Sequence, residues 1–287
     1  MPAREQPTAR QVRLGALLRG LRGDRGQSVV KTLAWSEAKI SRIESGRSSI
    51  SADDLSRLLD LYEIESDDLR AYLEDLRRRG GVQGWESDPA LRGILSPEYA
   101  EFIGFENDAS EMYNVQATVV PGLLQTVNYT KAALLLQVQE DLTEEEVEKL
   151  SEVRAKRQQA WQRPVPLTFW GIISESVLRH NVGGEAVMKE QLEYLLELSR
   201  RFEKTINLHI LPEESGAHAA LYPFAILSFP ERWEPDVVYI EGLTGTRYLE
   251  KQNETAAYGK LFRRLLAETL RKRESRQVIR QYAEKWS

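Results

Sequence analysis

Lys39, Ser41, Arg42 and Arg47 lie within nine residues of one another in WSEAKISRIESGR, residues 35–47. Basic and short polar side chains at that density suit the reading of a nucleic acid. Lysine and arginine donate to the O6 and N7 acceptors of guanine, and a short serine permits close approach to base edges. Lys39 and Arg42 are therefore candidates for guanine contacts and Ser41 for close approach. Arg47, and more distantly Lys31 and Arg13, are candidates for phosphate. For any one of them the plainer reading is a solvated surface charge.

Other residues could carry chemistry but lack a constellation. The histidines, at 180, 209 and 218, are scattered, and there is no cysteine. Disulfides, thiolate catalysis and Cys-ligated zinc are thereby excluded. His209 and His218 with Glu213 and Glu214 could suggest a metal, but satisfied or exposed histidines explain them as well. Glu175, Glu241 and Glu250 could serve as acids or bases, yet no nucleophile motif accompanies them. The GLTG at 242–245 is too short for a phosphate loop and reads as a turn. The PGLLQT at 121–126 reads as a structural corner. Trp170, Tyr222, Tyr239 and Tyr248 read as core before pocket. The expectation is no catalytic residue, no metal and no cofactor.

The basic row needs a scaffold. Ser36 stands as an N-cap, Ile40 and Ile43 give an inward stripe, and Gly46 stands where the helix stops and positive φ is needed. The expected reading helix is thus 36–45. Trp35 reads as a core plug, and Glu44 as an ion-pair or cap partner, because a carboxylate near phosphate is repelled. Upstream, Thr8 caps a first helix with Leu14, Leu17, Leu18 and Leu21 at i, i+3, i+4, i+7. Residues 28–33 form a short apolar second helix. Downstream, Ser51 caps a fourth helix, with Asp54 as a capping-box-like acid, and Ser66 caps a fifth. Five short helices in about 80 residues must share one core.

Charge follows the same division. Residues 1–50 hold 10 Lys+Arg against 4 Asp+Glu, whereas residues 51–287 hold 29 against 40. A basic head on an acidic body points to a polyanion that meets the head alone. No apolar run reaches the length of a membrane span, and there is no signal-peptide core, so a cytoplasmic, nucleoid-associated protein is expected, without membrane contact.

The Gly80-Gly81 pair marks a boundary. The domains expected are a helix-turn-helix domain at 8–79, a linker at 80–95 and a second domain at 96–287. In the second, a helix runs to about 109, 115–120 is extended, and helices follow at 123–137, 143–162 and 185–202. Strands fall at 167–173, 206–211, 224–229 and 237–240, with a short one at 247–249. A long helical tail covers 256–286. The fold class expected is multidomain: an all-α five-helix domain, then an α+β domain with a small mixed or antiparallel sheet and a long C-terminal helix.

Two groups of segments carry a family resemblance. LGALLRGLR, SEAKISRIESGR and SADDLSRLLDLY, within residues 12–76, resemble the xenobiotic-response-element (XRE)/Cro-type helix-turn-helix family. VVPGLLQT, GGEAVMKEQLEYLLELS, HILPEESGAHAAL, FAILSFP and DVVYIEGLTGTRYLE, between 119 and 250, resemble the C-terminal domain of unknown function in actinobacterial regulators, WhiJ-like and antitoxin-like proteins among them. The resemblance implies a DNA-binding transcriptional regulator, often acting with a small co-encoded partner protein. It places Ser36, Glu37, Lys39, Ser41 and Arg42 at groove-facing positions, and Gln27 or Ser28 at a phosphate-contacting one. GDRGQSVVKTLAW is a few residues shorter than the family's stretch before the tryptophan, which bears on how firmly the reading helix is held.

Together these readings describe a sequence-specific DNA-binding regulator that is not an enzyme. A homodimer on a palindromic operator in double-stranded DNA is expected, because one such domain offers a small contact area. The second domain would supply the dimer surface, a ligand pocket or a partner's docking site. Two other classes stay open: a small-molecule sensor or enzyme using His209 and His218, and an antitoxin-like protein-binding module with weak DNA binding.

Overall fold

The structure is a computed structural model. It describes residues 7–23, 26–82, 84–91, 93–136, 142–231, 233–242 and 245–286. The chain divides into two compact units: residues 1–108 with 231–234, and residues 109–230 with 235–287.

The first unit is helical. It contains α1 (Ala9–Arg22), α2 (Gly26–Leu33), α3 (Glu37–Glu44), α4 (Ala52–Leu61), α5 (Asp67–Gly80) and α6 (Pro97–Asp108). Thr8, Ser36, Ser51, Ser66 and Ser96 each accept a hydrogen bond from the N–H three residues on, so five of these helices begin at a side-chain cap. Thr8 also closes a capping box with Gln11. One core joins α1 to α5: Leu18, Val29 and Leu73 are fully buried, with Trp35, Ile40, Ile43, Leu55 and Leu58 around them. Helices this short are marginal alone, so this shared apolar cluster holds them. The helix expected to open the second domain, α6, lies in this unit and packs on α1.

A cluster of charge is buried in the same unit. Arg13, 7% exposed, pairs with Asp108 (2.6 Å) and Glu234 and donates to the Tyr72 hydroxyl (2.9 Å). Tyr72 in turn donates to Glu234 (2.5 Å). Burial pushes the Glu234 carboxyl above the usual carboxylate range, against the pull of Arg13.

The second unit is α+β. Its elements are β1 (Glu111–Gln116), α7 (Val127–Leu135), α8 (Glu144–Arg157), β2 (Thr168–Ser174), α9 (Glu185–Arg201), β3 (Ile206–Leu211), β4 (Phe224–Ser228), β5 (Val237–Gly242), β6 (Gly245–Leu249), α10 (Gln252–Ala267) and α11 (Lys272–Lys285). The six strands form one mixed sheet in the order β3-β2-β1-β4-β5-β6. β1 and β3 run parallel to β2, as helical crossovers require, and β4, β5 and β6 continue antiparallel. Alternation places Val115, Ile172, Leu211, Ile226 and Val238 on one face, where α10 covers them with Phe262 and Leu265.

The C-terminal tail is two helices, not one. At the break, the Leu270 N–H donates to the Ile210 carbonyl (2.9 Å) and the Ile210 N–H donates to Ser275 Oγ (3.0 Å). The interruption thus pairs backbone groups on the outer side of edge strand β3, which would otherwise lie bare. Helical periodicity carries no sign of such a pairing across 60 residues of chain.

Candidate nucleic-acid interface

Helix α3 is fixed from three sides. Its start is capped by Ser36 Oγ, which accepts from the Lys39 N–H at 3.1 Å. Its apolar stripe, Ile40 and Ile43, is buried in the helical core. At its end, Gly46 takes φ 70°, and a Cβ there would meet the Val12 backbone nitrogen at 2.9 Å. Gly15 of α1 makes the closest approach: a Cβ on it would lie 2.5 Å from the Glu44 carbonyl oxygen. Two glycines therefore let the α1 backbone touch the C-terminal turn of α3. Glu44 is buried there and pairs with Arg22 (2.6 Å) and Arg19 (3.6 Å), the ion-pair role its type suggested.

The turn between α2 and α3 is short, and Ala34 carries it at φ 52°. Val29 and Leu33 of α2 are buried in the core, and α2 packs on α4. The abbreviated stretch before the tryptophan thus still forms a helix seated in the core. The side chains of Gln27 and Ser28 lie outside the described residues, so their phosphate role stays an expectation.

Glu37, Ala38, Ser41 and Arg42 are exposed along α3, at i, i+1, i+4 and i+5, and form one outward stripe opposite Ile40 and Ile43. Ser36, Arg47 and Lys31 are exposed as well. Ala38 was missed in the sequence because alanine carries no polar group, although its spacing from Ser41 places it on this stripe. A small methyl there can meet a thymine methyl.

Lys39 differs from its neighbours. Its Nζ lies 2.8 Å from Asp54 Oδ2, at the start of α4, and 3.8 Å from the centre of the Trp35 ring. Asp54 thereby loses the capping-box part expected of it: Ser51 Oγ accepts from its N–H, but its carboxylate turns to Lys39. Trp35 is a core residue whose ring face also holds a cation. No spacing rule could have found Asp54, which sits 15 residues from its partner.

Arg13 is a correction. Expected at a phosphate, it is instead buried in the ion cluster with Asp108, Glu234 and Tyr72. It lies beside Leu14 on the inward side of α1, which packs on α5 and α6.

The second unit's candidates do not converge. His209 Nδ1 bonds the Leu270 carbonyl (3.0 Å), His218 Nε2 the Pro212 carbonyl (2.8 Å) and His180 Nδ1 the Thr118 carbonyl (3.0 Å). Burial pushes the His209 pKa below its usual value. Glu175 accepts from Tyr282 (2.9 Å) and from the Glu213 N–H (3.1 Å), and Glu213 pairs with Arg179. Among the described residues no group of three or more His, Cys, Asp or Glu could hold a metal. Of the four aromatic residues read as core, Tyr239 is buried, Trp170 and Tyr248 are half-buried, and Tyr222 is 67% exposed. The PGLLQT corner is internally bonded: Gln125 donates to the Val120 carbonyl (2.7 Å), and Gln191 accepts from the Thr126 N–H and donates to the Leu124 carbonyl (both 2.7 Å). Beside it lies a cleft of about 240 Å³ lined by Thr130, Gln158, Glu190 and Tyr194 among others. No helix among the described residues is long and apolar enough to cross a membrane.

Comparison with known families also gives two domains, but the second begins inside α6, near the start expected for it from the sequence. A helix-turn-helix domain model matches residues 13–82, which contain α2, α3, α4 and α5. A second model, described as Domain of unknown function (DUF5753), matches residues 99–281, more than half of the chain. No curated protein and no solved structure gives a match. The chain carries an N-terminal helix-turn-helix domain and belongs to the family of that domain of unknown function, DUF5753.

Proposed function

We propose that this protein is a sequence-specific DNA-binding transcriptional regulator, of the XRE/Cro type and related to WhiJ-like regulators of actinobacteria, with α3 as its reading helix. The observation that carries this reading is the outward stripe of Glu37, Ala38, Ser41 and Arg42 on a helix whose other side is locked into the core. Arg42 reads guanine, Ser41 and Ala38 allow close approach, and Glu37 can accept from the amino group of cytosine. Ser36 lies at the groove end of the helix. Arg47 and Lys31, with Gln27 or Ser28, hold phosphates and set the register. Lys39 is held in reserve by Asp54 and Trp35.

An eight-residue helix reads few base pairs, so a homodimer on a palindromic operator, with half-sites about 34 Å apart, supplies the remaining affinity. The protein acts in the cytoplasm at the nucleoid. The second domain serves dimerisation and the binding of a small co-encoded partner protein or ligand, and no catalytic step is assigned to it. Support for a ligand role comes from the cleft beside the PGLLQT corner, whose lining combines polar side chains such as Gln158 and Glu190 with apolar surface.

The test is fluorescence anisotropy on the duplex upstream of the protein's own coding sequence, against a scrambled duplex at matched salt. Preference for the upstream duplex, reduced in Arg42→Ala, supports the reading. Equal affinity for the two duplexes would leave the protein a binding module with weak DNA affinity.

A further inference from the structure

The acidic body has a basic exception. Residues 252–286 hold 9 Lys+Arg against 4 Asp+Glu, while residues 51–251 hold 20 against 36. The excess is spatially organised within the second unit. Helix α11 packs along α9, and the end of α9 meets the start of α11 through Glu203. The Glu203 carbonyl accepts from Lys272 Nζ and its carboxylate from Arg276, each at 3.1 Å. Those contacts fix the two helices and consume one acid. Around them Arg200, Lys204, Arg273 and Arg280 are exposed, and among the described residues none of the four takes part in an ion pair.

These cations form a ridge, not scattered charge. Arg273, Arg276 and Arg280 recur at i, i+3 and i+7 on one helix, so they span about 10 Å along it. Arg200, in the last turn of α9, and Lys204, just past that helix, extend the ridge. Of the two acids on α11, Glu274 is turned back to accept from the Arg271 N–H (2.9 Å), and Glu284 lies one turn beyond Arg280 at the far end of the row. Burial pushes the Lys272 pKa below its usual value, against the pull of Glu203, and Arg276 adds to the lowering by repulsion. Like charges held this close repel one another, and such an array is relieved by a partner carrying regularly spaced anions.

We propose that the α9–α11 ridge is a second polyanion-binding surface and that its partner is the phosphate backbone of duplex DNA. Arginine predominates in the ridge, and its guanidinium matches phosphate oxygens in bidentate fashion. A rigid row of cations suits a repeating line of phosphates better than it suits a single carboxylate. The ridge contributes affinity without sequence preference, since phosphate contacts position and do not specify. The choice of DNA as the polyanion rests on the proposed function; the ridge's charge does not.

The test uses the full chain and the variant Lys204→Gln/Arg273→Gln/Arg280→Gln. All three residues are exposed and take part in no ion pair among the described residues, so the fold should persist, as circular dichroism would confirm. Kd on duplex DNA is measured across a salt series. Each phosphate contact contributes about 0.9 to the slope of log Kd against log salt. A slope shallower by about 2 to 3, with unchanged sequence preference, supports the proposal. An unchanged slope overturns it, even if Arg42→Ala still alters preference. If the slope falls but the wild-type protein shows no preferred duplex, the ridge stands and the α3 reading fails. Binding of polyglutamate but not of duplex DNA also overturns the proposal, in favour of an acidic protein partner.

Discussion

Lys39 of α3 is clamped between Asp54, 2.8 Å away at the start of the next helix, and the face of Trp35, 3.8 Å away. One of the two residues expected at guanine edges is thus already engaged within the chain. Exposed ion pairs stabilise by well under 1 kcal/mol as a rule, but a cation–π contact adds to this one. The expected ranking follows: Arg42→Ala weakens specific binding by about 1–3 kcal/mol and relaxes one base position, whereas Lys39→Ala changes it much less. Asp54→Asn frees Lys39, and the salt slope should then steepen by about one phosphate contact. Equal losses for the two alanine variants would show that Lys39 leaves Asp54 to read DNA.

The contact of α1 with the end of α3 predicts a sharp difference between two glycines on one helix. Gly15→Ala drives a methyl to 2.5 Å from the Glu44 carbonyl oxygen, and should destabilise the helical unit by about 1–3 kcal/mol. Gly20→Ala meets nothing within 4 Å and should stabilise it by about 0.5–1 kcal/mol. Denaturant melts of the two variants check both signs. Similar effects from the two would mean that α1 and α3 are not in backbone contact.

Ala34 sets the turn that aims α3. At φ 52° an alanine is strained, and a β-branched residue more so. Ala34→Val should cost about 1–2 kcal/mol and weaken DNA binding along with stability, whereas Ala34→Gly should bind as the parent does. A fully stable Ala34→Val variant would contradict the turn geometry.

The buried ion cluster makes a larger prediction. Arg13→Ala leaves the buried Glu234 without its cation, while Asp108 keeps Arg10 (2.8 Å), and should cost about 3–5 kcal/mol. A loss below about 1 kcal/mol in a urea titration would mean the cluster is open to water.

Stability should also depend on pH through His209. Its pKa is lowered in the folded state, chiefly by burial, with Lys272 adding to the effect. The folded chain therefore binds fewer protons than the unfolded chain as pH falls below about 6.5, and stability is lost in that direction. It is fully present above that value. His209→Asn should flatten this part of the profile between pH 7.5 and 5.5, measured as the shift in thermal midpoint. A variant as pH-sensitive as the parent would move the effect to other groups.

What could be read from residue order was local. Caps at Thr8, Ser36, Ser51, Ser66 and Thr143 are single residues with a fixed relation to the next turn, and each occupies its cap. Strand β3 falls at 206–211, the bounds expected from the sequence. The order of the sheet was not legible, because β4 pairs with β1 across more than 100 residues. The same holds for the site. Ser41 and Arg42 face solvent because Ile40 and Ile43 face inward, a periodicity visible in the chain. The capture of Lys39 by Asp54, and the burial of Arg13 among Asp108, Tyr72 and Glu234, arise from tertiary neighbours that no spacing rule joins.

The most direct test of the central claim is selection of binding sites from a pool of random duplexes, run in parallel for the parent chain and for Arg42→Ala. A reading helix centred on Arg42 predicts enrichment of a short inverted repeat containing guanine in each half-site, with that guanine alone losing enrichment in the variant. No enriched sequence for the parent, or the same enriched guanine in the variant, would contradict it.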